Sequence, residues 1–274
     1  MKLRFDLALV FASLALAHAA HAQLRGAEMQ EANATWKKVR ASLFDGKAIA
    51  TPADDMLAIE APIRADDAAI VPISIKTRFP QSASRYVDKL YLIIDSNPSP
   101  ISAIFQMTPQ SGRADIETRV RIDDYTHVRA VAEMNDGQLY MTTTYVKAAG
   151  GCSAPPPKDA AAAQAALGKM KFRVDGIPGS DQPILAHLMI SHPNSSGFAI
   201  DPASRQPVPA HYVRTINVSY AGRPVMSADV DFSISENPNF RFWFVPQGEG
   251  ELKAEVVDSN ELRFESAVRV SQTN

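Results

Sequence analysis

Short segments in which apolar and polar residues alternate recur along most of the chain. The clearest runs from Ala114 to Asp123, where Ile, Thr and Val at the even positions oppose charged residues at the odd positions. Period-two alternation is typical of a strand with one face buried and the other in water, as in an antiparallel sheet. The chain is therefore predicted to be built from antiparallel strands.

Seven strands are predicted in the first half, with turn signals at regular intervals between them. They are Met56–Glu60, Ala69–Thr77, Val87–Asp95, Ile101–Thr108, Ala114–Asp123, Thr126–Met134 and Gln138–Lys147. The last two are joined by Asn135-Asp136-Gly137, a hairpin signal. This pattern predicts an antiparallel β-sandwich.

The second half repeats the architecture without repeating the residues. Its predicted strands are Lys169–Asp175, Ile184–Ser191, His211–Tyr220, Arg223–Ser235, Phe240–Val245, Glu251–Asp258 and Leu262–Val270. We find no register of identical residues between the halves. The sequence thus predicts an all-β protein with two sandwiches.

The first 22 residues have the pattern of a signal peptide. Lys2 and Arg4 precede an apolar run, Leu7 to Ala17, that is too short to span a bilayer. Ala20-His21-Ala22 then offers small residues at the two positions that signal peptidase recognises, so cleavage is predicted after Ala22. We expect a soluble, exported protein, located in the periplasm of a Gram-negative bacterium.

An amphipathic helix is predicted from Ala27 to Leu43. Apolar residues recur there at spacings of three and four, and Gly46 follows at a plausible C-terminal cap. The predicted organisation is signal peptide 1–22, first sandwich 23–147, linker 148–168 and second sandwich 169–274.

The linker holds the single cysteine of the chain, Cys152. Gly150 and Gly151 precede it and leave the backbone free, while three prolines follow as a semi-rigid spacer. We expect an exposed, functional thiol on a flexible arm. An incidental linker residue and a small packed side chain are the alternatives. A lone cysteine cannot form an internal disulfide, so it stays a thiol, carries an adduct, or links two chains into a dimer.

Other kinds of site find little support. The net charge of −2 becomes about −3 once Lys2, Arg4 and Asp6 are lost with the signal peptide, and no basic stripe indicates nucleic acid. The spacing of the histidines matches no zinc signature, and no haem, phosphate-loop or nucleophile-elbow motif is present. We therefore expect no metal, no cofactor, no membrane partner and no catalytic residue.

The first half contains a set of recognisable segments: Trp36 with Leu43-Phe44, Ile59 to Pro62, Ala65 to Ala68, Val71-Pro72-Ile73 and Gly150-Gly151-Cys152. Through these segments it resembles SoxY, a subunit of a periplasmic sulfur-compound carrier of thiosulfate oxidation. The second half resembles the other subunit, SoxZ, through Ser191-His192-Pro193, Gly197, Pro209 to Tyr212, Ser235 to Pro238 and Asp258-Ser259.

The resemblance implies two immunoglobulin-like sandwiches and a carrier that is not an enzyme. It implies that Cys152 covalently carries sulfur intermediates between partner redox enzymes. In the family the cysteine lies near the end of its chain. Here Ser153-Ala154 follow it and the arm is held at both ends, so it would enter a partner as a loop.

A second function stays open at this point. Fused carriers of this kind resemble those associated with quinoprotein (PQQ) dehydrogenases. The alternative is therefore an accessory or binding module for a periplasmic PQQ-dependent alcohol dehydrogenase, with an incidental thiol. A self-sufficient thiol enzyme is disfavoured, because no base accompanies the cysteine in sequence.

Overall fold

The computed structural model describes residues 33–53, 56–156, 159–176, 182–202 and 204–271. The chain divides into two compact units that part between Gly46 and Lys47. In the first unit, helix α1 (Ala34–Phe44) is capped by Asn33, whose side chain accepts a hydrogen bond from the Trp36 amide at 2.9 Å. The helix predicted from residue 27 is thus observed from residue 34, and its first residues, the signal peptide and the cleavage site lie outside the described residues.

The described residues of the second unit form fifteen strands and one further α-helix. The strands are β1 (Ile49–Ala50), β2 (Leu57–Glu60), β3 (Val71–Thr77), β4 (Val87–Ile94), β5 (Ile101–Met107), β6 (Ile116–Val120), β7 (Thr126–Met134), β8 (Leu139–Val146), β9 (Met170–Asp175), β10 (Ile184–Ile190), β11 (Val213–Tyr220), β12 (Arg223–Val230), β13 (Asn239–Phe244), β14 (Gly250–Asp258) and β15 (Arg263–Val270). Helix α2 (Ala160–Ala166) lies in the predicted linker and is capped by Asp159. Each predicted strand is present; β7 has the predicted bounds and the others have shifted ends. Among the described residues, only the two-residue β1, too short to show alternation, was missed.

The strands form two sheets, and each half of the chain contributes to both. The nine-stranded sheet has the order β1-β8-β7-β4-β5-β12-β11-β14-β15, and the six-stranded sheet has the order β2-β3-β6-β13-β10-β9. Neighbouring strands are antiparallel except for β1 and β8. The two predicted sandwiches therefore lie side by side, each with strands in both layers.

The halves join through continuous strand pairing. Strand β5 pairs with β12, from Ala103 opposite Val230 to Met107 opposite Met226. In the smaller sheet β6 meets β13, with Glu117 opposite Arg241. We call these two pairings the seam.

One hydrophobic core lies between the sheets and extends through both halves. Phe105 of the first half contacts Phe240 of the second, with ring centroids 6.1 Å apart. The two predicted sandwiches therefore share one core. Among the described helices, none has the length and apolarity needed to cross a membrane.

Candidate functional site

Cys152 lies in a single turn of 3-10 helix, Gly151–Ser153, shortly after β8. Its side chain is only 1% exposed. The turn is held by its backbone: the amide of Gly150 donates to Asp123 O at 2.8 Å and that of Gly151 donates to Ile122 O at 2.9 Å. The expectation of an exposed thiol on a free arm is therefore wrong for this structure.

The physical reason is that loops from both halves meet around the turn. From the first half, Ala68 and the loop at Ile122 and Asp123 flank it. From the second half, Ser196 donates a hydrogen bond from its hydroxyl to Cys152 O. The residues next to Cys152 in the sequence offer few apolar side chains to bury it. In the folded chain, loops that are distant in sequence pack around it instead. We call these loops the cysteine seat.

The two glycines before the cysteine serve close packing as well as backbone conformation. A Cβ on Gly151 would lie 2.0 Å from the carbonyl oxygen of Ala68, which no side chain can tolerate. Gly150 has open space around it but a φ of 82°, which favours glycine. The two glycines were predicted to make the arm flexible. In the folded turn they instead allow close packing and a left-handed backbone conformation.

Burial in the seat keeps the thiol protonated. Burial first, and then the negative charge of Asp123, raises the pKa of Cys152 to about 12, while Arg121 acts in the opposite direction. Because the thiolate is the nucleophile, the seated cysteine is unreactive at neutral pH.

Arg121 and Asn97 connect the halves beside the seat. The buried Arg121 guanidinium donates to Ile234 O at 2.8 Å. The amide of Asn97 donates to Arg121 O at 2.8 Å and to Ser233 Oγ at 3.1 Å, and its carbonyl accepts from Asp123 N at 3.0 Å. These bonds fix the loop at Asp123 against the loop between β12 and β13.

A second cluster, His192, His211 and Asp258, takes its two histidines from the loop that carries Ser196. Nε2 of His211 lies 2.7 Å from Asp258 Oδ2, and Nε2 of His192 lies 3.4 Å from the same oxygen. The other oxygen, Oδ1, accepts from the amides of Asn260 and Leu262 at 2.8 and 2.9 Å. We call this group the histidine clasp, because it holds the β10–β11 loop to the β14–β15 hairpin.

The clasp does not suit a metal ion, although its three ligand atoms lie within 4.8 Å of one another. Nδ1 of His192 accepts the amide proton of Asn194 at 3.0 Å. A neutral ring that accepts at Nδ1 has its proton on Nε2, which points at Asp258. In this arrangement that nitrogen has no lone pair for a metal.

Burial first, and then the neighbouring His211, lowers the pKa of His192 to about 4. Burial alone would raise the pKa of Asp258, but hydrogen bonds from His211 and from the amides of Leu262 and Asn260 hold it below its usual value. The clasp is thus a neutral imidazole beside a carboxylate at physiological pH.

Sequence reasoning missed Ser196, Asn194 and Arg121, because each acts through partners far away in the chain. The segments that resemble SoxZ, Ser191-His192-Pro193, Pro209 to Tyr212 and Asp258-Ser259, contain all three clasp residues. Their presence in these segments was the sequence signal by which the clasp could have been found.

Two family models match the chain in tandem. "Sulfur oxidation protein SoxY" matches residues 40–152, and "Sulphur oxidation protein SoxZ" matches residues 175–269. The chain is a fusion of the SoxY and SoxZ families. At the family level this makes it a sulfur-oxidation carrier protein rather than an enzyme. The SoxY match ends at Cys152, so the seat around this cysteine is built largely from the SoxY domain and closed by Ser196 of the SoxZ domain.

Several solved structures match parts of this SoxYZ chain. The sulfur carrier protein SoxY from Chlorobium limicola f thiosulfatophilum is 23% identical, with 42% of this chain and 91% of that chain covered and a TM-score of 0.35. A superoxide reductase (neelaredoxin) from Ignicoccus hospitalis is 15% identical, with 37% and 95% covered and a TM-score of 0.33. The fibronectin(III)-like modules of Clostridium thermocellum CbhA are 12% identical, with 78% and 92% covered and a TM-score of 0.23. No curated protein matches the chain.

Proposed function

We propose that this SoxYZ fusion is a periplasmic carrier that holds a sulfur compound covalently on Cys152 and presents it to partner oxidoreductases of the thiosulfate-oxidation type. The observation that carries the proposal is the position of the single cysteine: it is the last residue of the SoxY match. The predicted signal peptide supports the location.

The loading step needs no cofactor of its own. The Cys152 thiol gives its proton to water or a base of the partner, and the thiolate attacks a sulfur atom of a disulfide-like donor. A new S–S bond forms while the old one breaks, and the leaving sulfur departs as a thiolate with the bonding electron pair. Unloading is the same exchange with a thiolate of the next partner.

The seat determines when this chemistry happens. Two backbone hydrogen bonds at Gly150 and Gly151, and one from Ser196, hold the turn. Each such bond contributes about 0.5–1.5 kcal/mol net, so releasing the turn costs a few kcal/mol, which a docking partner can supply. Once released, the thiol returns towards its ordinary pKa of about 8.5 and becomes reactive. The carrier alone therefore keeps its thiol buried, and a docking partner exposes it.

The test is the intact mass of the protein from its native periplasm, purified without reductant and measured again after reduction. We expect a reducible mass excess on Cys152, equal to sulfur atoms or a sulfonate-bearing group, on a chain that begins at Gln23. The Cys152→Ser variant serves as the control and carries no excess. A bare thiol while the pathway is running contradicts the proposal.

The burial of Cys152 favours a second function, an accessory module for a periplasmic PQQ-dependent alcohol dehydrogenase in which the thiol is incidental. A cysteine that is 1% exposed has the environment of a packed side chain. This alternative predicts that the Cys152→Ser variant co-purifies with the dehydrogenase and leaves its activity unchanged. Loss of dehydrogenase activity with that variant would exclude it.

A further inference from the structure

Ser196 holds the cysteine turn from the second half of the chain. Its hydroxyl donates to Cys152 O and accepts from the amide of Phe198 at 3.2 Å. The bond from Phe198 occupies a lone pair and so orients the hydroxyl proton towards the turn. Because Ser196 belongs to the β10–β11 loop, the conformation of this loop decides whether the hydrogen bond to Cys152 forms.

Asn194 fixes that loop two residues before Ser196. It is fully buried and has a φ of 46°. Its side chain donates from Nδ2 to Ile234 O at 2.7 Å and accepts from the amide of Val213 at 2.8 Å. Its own amide donates to Nδ1 of His192 at 3.0 Å. A residue other than glycine keeps a positive φ only where the surrounding structure holds it, so the loop conformation depends on these three bonds.

The third bond depends on a titratable group. The ring of His192 accepts at Nδ1 only when it is neutral, because a protonated imidazole is a donor at both nitrogens. After protonation, Nδ1–H and the amide N–H of Asn194 face each other, and a buried amide is left without an acceptor. Nε2 faces Asp258 Oδ2. The neutral ring therefore belongs to the closed loop, and the protonated ring is incompatible with it.

The titratable groups that face His192 are His211 and Asp258. The ring centroid of His211 lies 4.6 Å from that of His192, and Asp258 Oδ2 lies 3.4 Å from Nε2. The third element packed against His192 is the β12–β13 loop. It contributes the uncharged Asn237, which bonds to the His192 backbone at 3.3 and 2.8 Å, while the neighbouring Glu236 lines a small cavity beside the cysteine arm. Burial and His211 together lower the pKa of His192 to about 4, against the effect of Asp258.

We propose that Ser196 is a positioning residue for the sulfur exchange at Cys152, and that protonation of His192 withdraws it and frees the cysteine turn. This inference deepens the carrier function and rests on it for its biological meaning. The connection is short, since Ser195 exchanges both backbone hydrogen bonds with His211, at 2.7 and 3.0 Å. The clasp thus holds the residue next to Ser196. Acidification therefore exposes the thiol in the absence of a partner.

Opening of the loop becomes more favourable as the pH falls. In the closed loop the pKa of His192 is about 4. Once the loop opens, the ring reaches water and its pKa returns towards about 6.5. The open state therefore binds more protons between these values, and its population grows by up to about tenfold per pH unit.

The experiment measures the protection of Cys152 against 2,2′-dithiodipyridine, a disulfide that reacts with thiols in acid as well as at neutral pH. Protection is the rate constant of 2-mercaptoethanol divided by that of Cys152 at the same pH, a ratio that cancels the pH dependence of the reagent and of thiol ionisation. In the parent we expect protection to fall at least about tenfold from pH 7.5 to pH 5. In His192→Asn it should stay constant, because asparagine does not titrate.

Ser196→Ala separates this coupling from a general loss of stability. The variant should lower protection roughly fivefold at pH 7.5, through the loss of one hydrogen bond, and should remove most of the pH dependence. Its free energy of unfolding in urea should keep the parent's dependence on pH, because the clasp is intact. A purely structural role of Ser196 would shift protection equally at every pH.

His187→Asn is the matched control for His192→Asn. It makes the same change at a histidine whose pKa is also lowered by burial, but which lies on β10 opposite Arg241. It should keep the parent's profile. The proposal is overturned by protection that does not change with pH in the parent, by an equal change in His192→Asn or Ser196→Ala, or by a flat profile in His187→Asn. The assay contains no cargo and no partner, so its result is independent of the intact-mass test of the carrier function.

Discussion

The reactivity of Cys152 is controlled by a few neighbouring atoms. Burial, and then Asp123, raises the pKa of its thiol, Arg121 lowers that pKa, and Asp231 adds a smaller increase. Carriers of reactive sulfur need a thiol that is inert until the right partner is bound. In this protein the inert state follows from burial of the thiol and from nearby carboxylates.

Gly151→Ala should expose the thiol. The added Cβ meets the Ala68 carbonyl at 2.0 Å, so the turn must leave the seat. We expect the rate of reaction of Cys152 with Ellman's reagent to rise by at least about tenfold, as the thiolate becomes accessible and its pKa falls.

Gly137→Ala is the matched control. Its φ is 84°, close to that of Gly150 and equally unfavourable for alanine. The space around it is open, however, and it lies in the β7–β8 hairpin. The thiol of that variant should react at the parent's rate. Equal rates for all three proteins would show that the seat does not protect the thiol.

Asp231→Asn should stabilise the protein as the pH rises. Burial raises the pKa of Asp231 to about 6, and its Oδ2 atom has no hydrogen-bond partner among the described residues. The folded state therefore binds more protons than the unfolded state between pH about 4 and about 6, and the parent loses stability across that window. The variant should gain about 1–3 kcal/mol on the parent there and keep the gain at higher pH.

Urea unfolding at several pH values measures this difference. Asp229→Asn is the control, because it makes the same change at an exposed position two residues away on β12. A gain that is equal at pH 4 and pH 7.5 would contradict the assignment of the effect to ionisation of Asp231.

At the scale of elements, the histidine clasp joins the β10–β11 loop to the β14–β15 hairpin. Asp258 lies at the end of β14, His211 before β11 and His192 after β10. The β10–β11 loop also brings Ser196 to the cysteine turn. The clasp therefore supports the second-half wall of the cysteine seat.

The clasp predicts a loss of stability in acid. The pKa of His192 is lowered to about 4 in the folded protein, whereas an unfolded histidine titrates near 6.5. The unfolded state binds more protons between these values, so stability falls as the pH decreases from about 6.5 to about 4. His192→Asn keeps an acceptor near the Asn194 amide but removes the titration.

Denaturant unfolding at several pH values between 7.5 and 4 tests the clasp. The quantity compared is the change in unfolding free energy with pH in the two proteins, not its absolute value. We expect the slope of stability against pH in His192→Asn to be clearly shallower than in the parent. Parallel slopes would mean that other groups, such as Asp258 with its lowered pKa, account for the acid loss.

At the scale of the whole molecule, the seam turns two sandwiches into one folding unit. Both sheets run through it, and Phe105 and Phe240 pack across it with no exposed surface. A linker between independent domains would leave their stabilities separate. Here neither half has a complete core without the other.

Phe105→Ala should destabilise both halves together. Truncation of a buried Phe costs about 3–5 kcal/mol through lost burial and the cavity that remains. We expect amides of β7 in the first half and β11 in the second to lose hydrogen-exchange protection at the same, lower denaturant concentration.

Tyr145→Ala is the control for that variant, since this aromatic side chain is 41% exposed and should cost far less. Protection that is lost at separate denaturant concentrations in β7 and β11 would show that the halves unfold independently.

Much of this fold follows from local sequence. Alternation of apolar and polar residues, together with turn residues, located fourteen of the strands, because side-chain period and turn conformation depend on near neighbours. The resemblance carried by short segments gave the two families. These features were determined by the sequence alone.

Only the tertiary structure decided what those strands and loops meet. The pairing of β5 with β12 and of β6 with β13 joins residues more than a hundred positions apart, and His192 lies 66 positions from Asp258. Ser196, whose hydroxyl donates to Cys152 O, lies 44 positions from the cysteine. Local periodicity says which face of a strand is apolar, but not which distant edge or loop will cover it. Hence the thiol that looked exposed in sequence is enclosed in the folded protein.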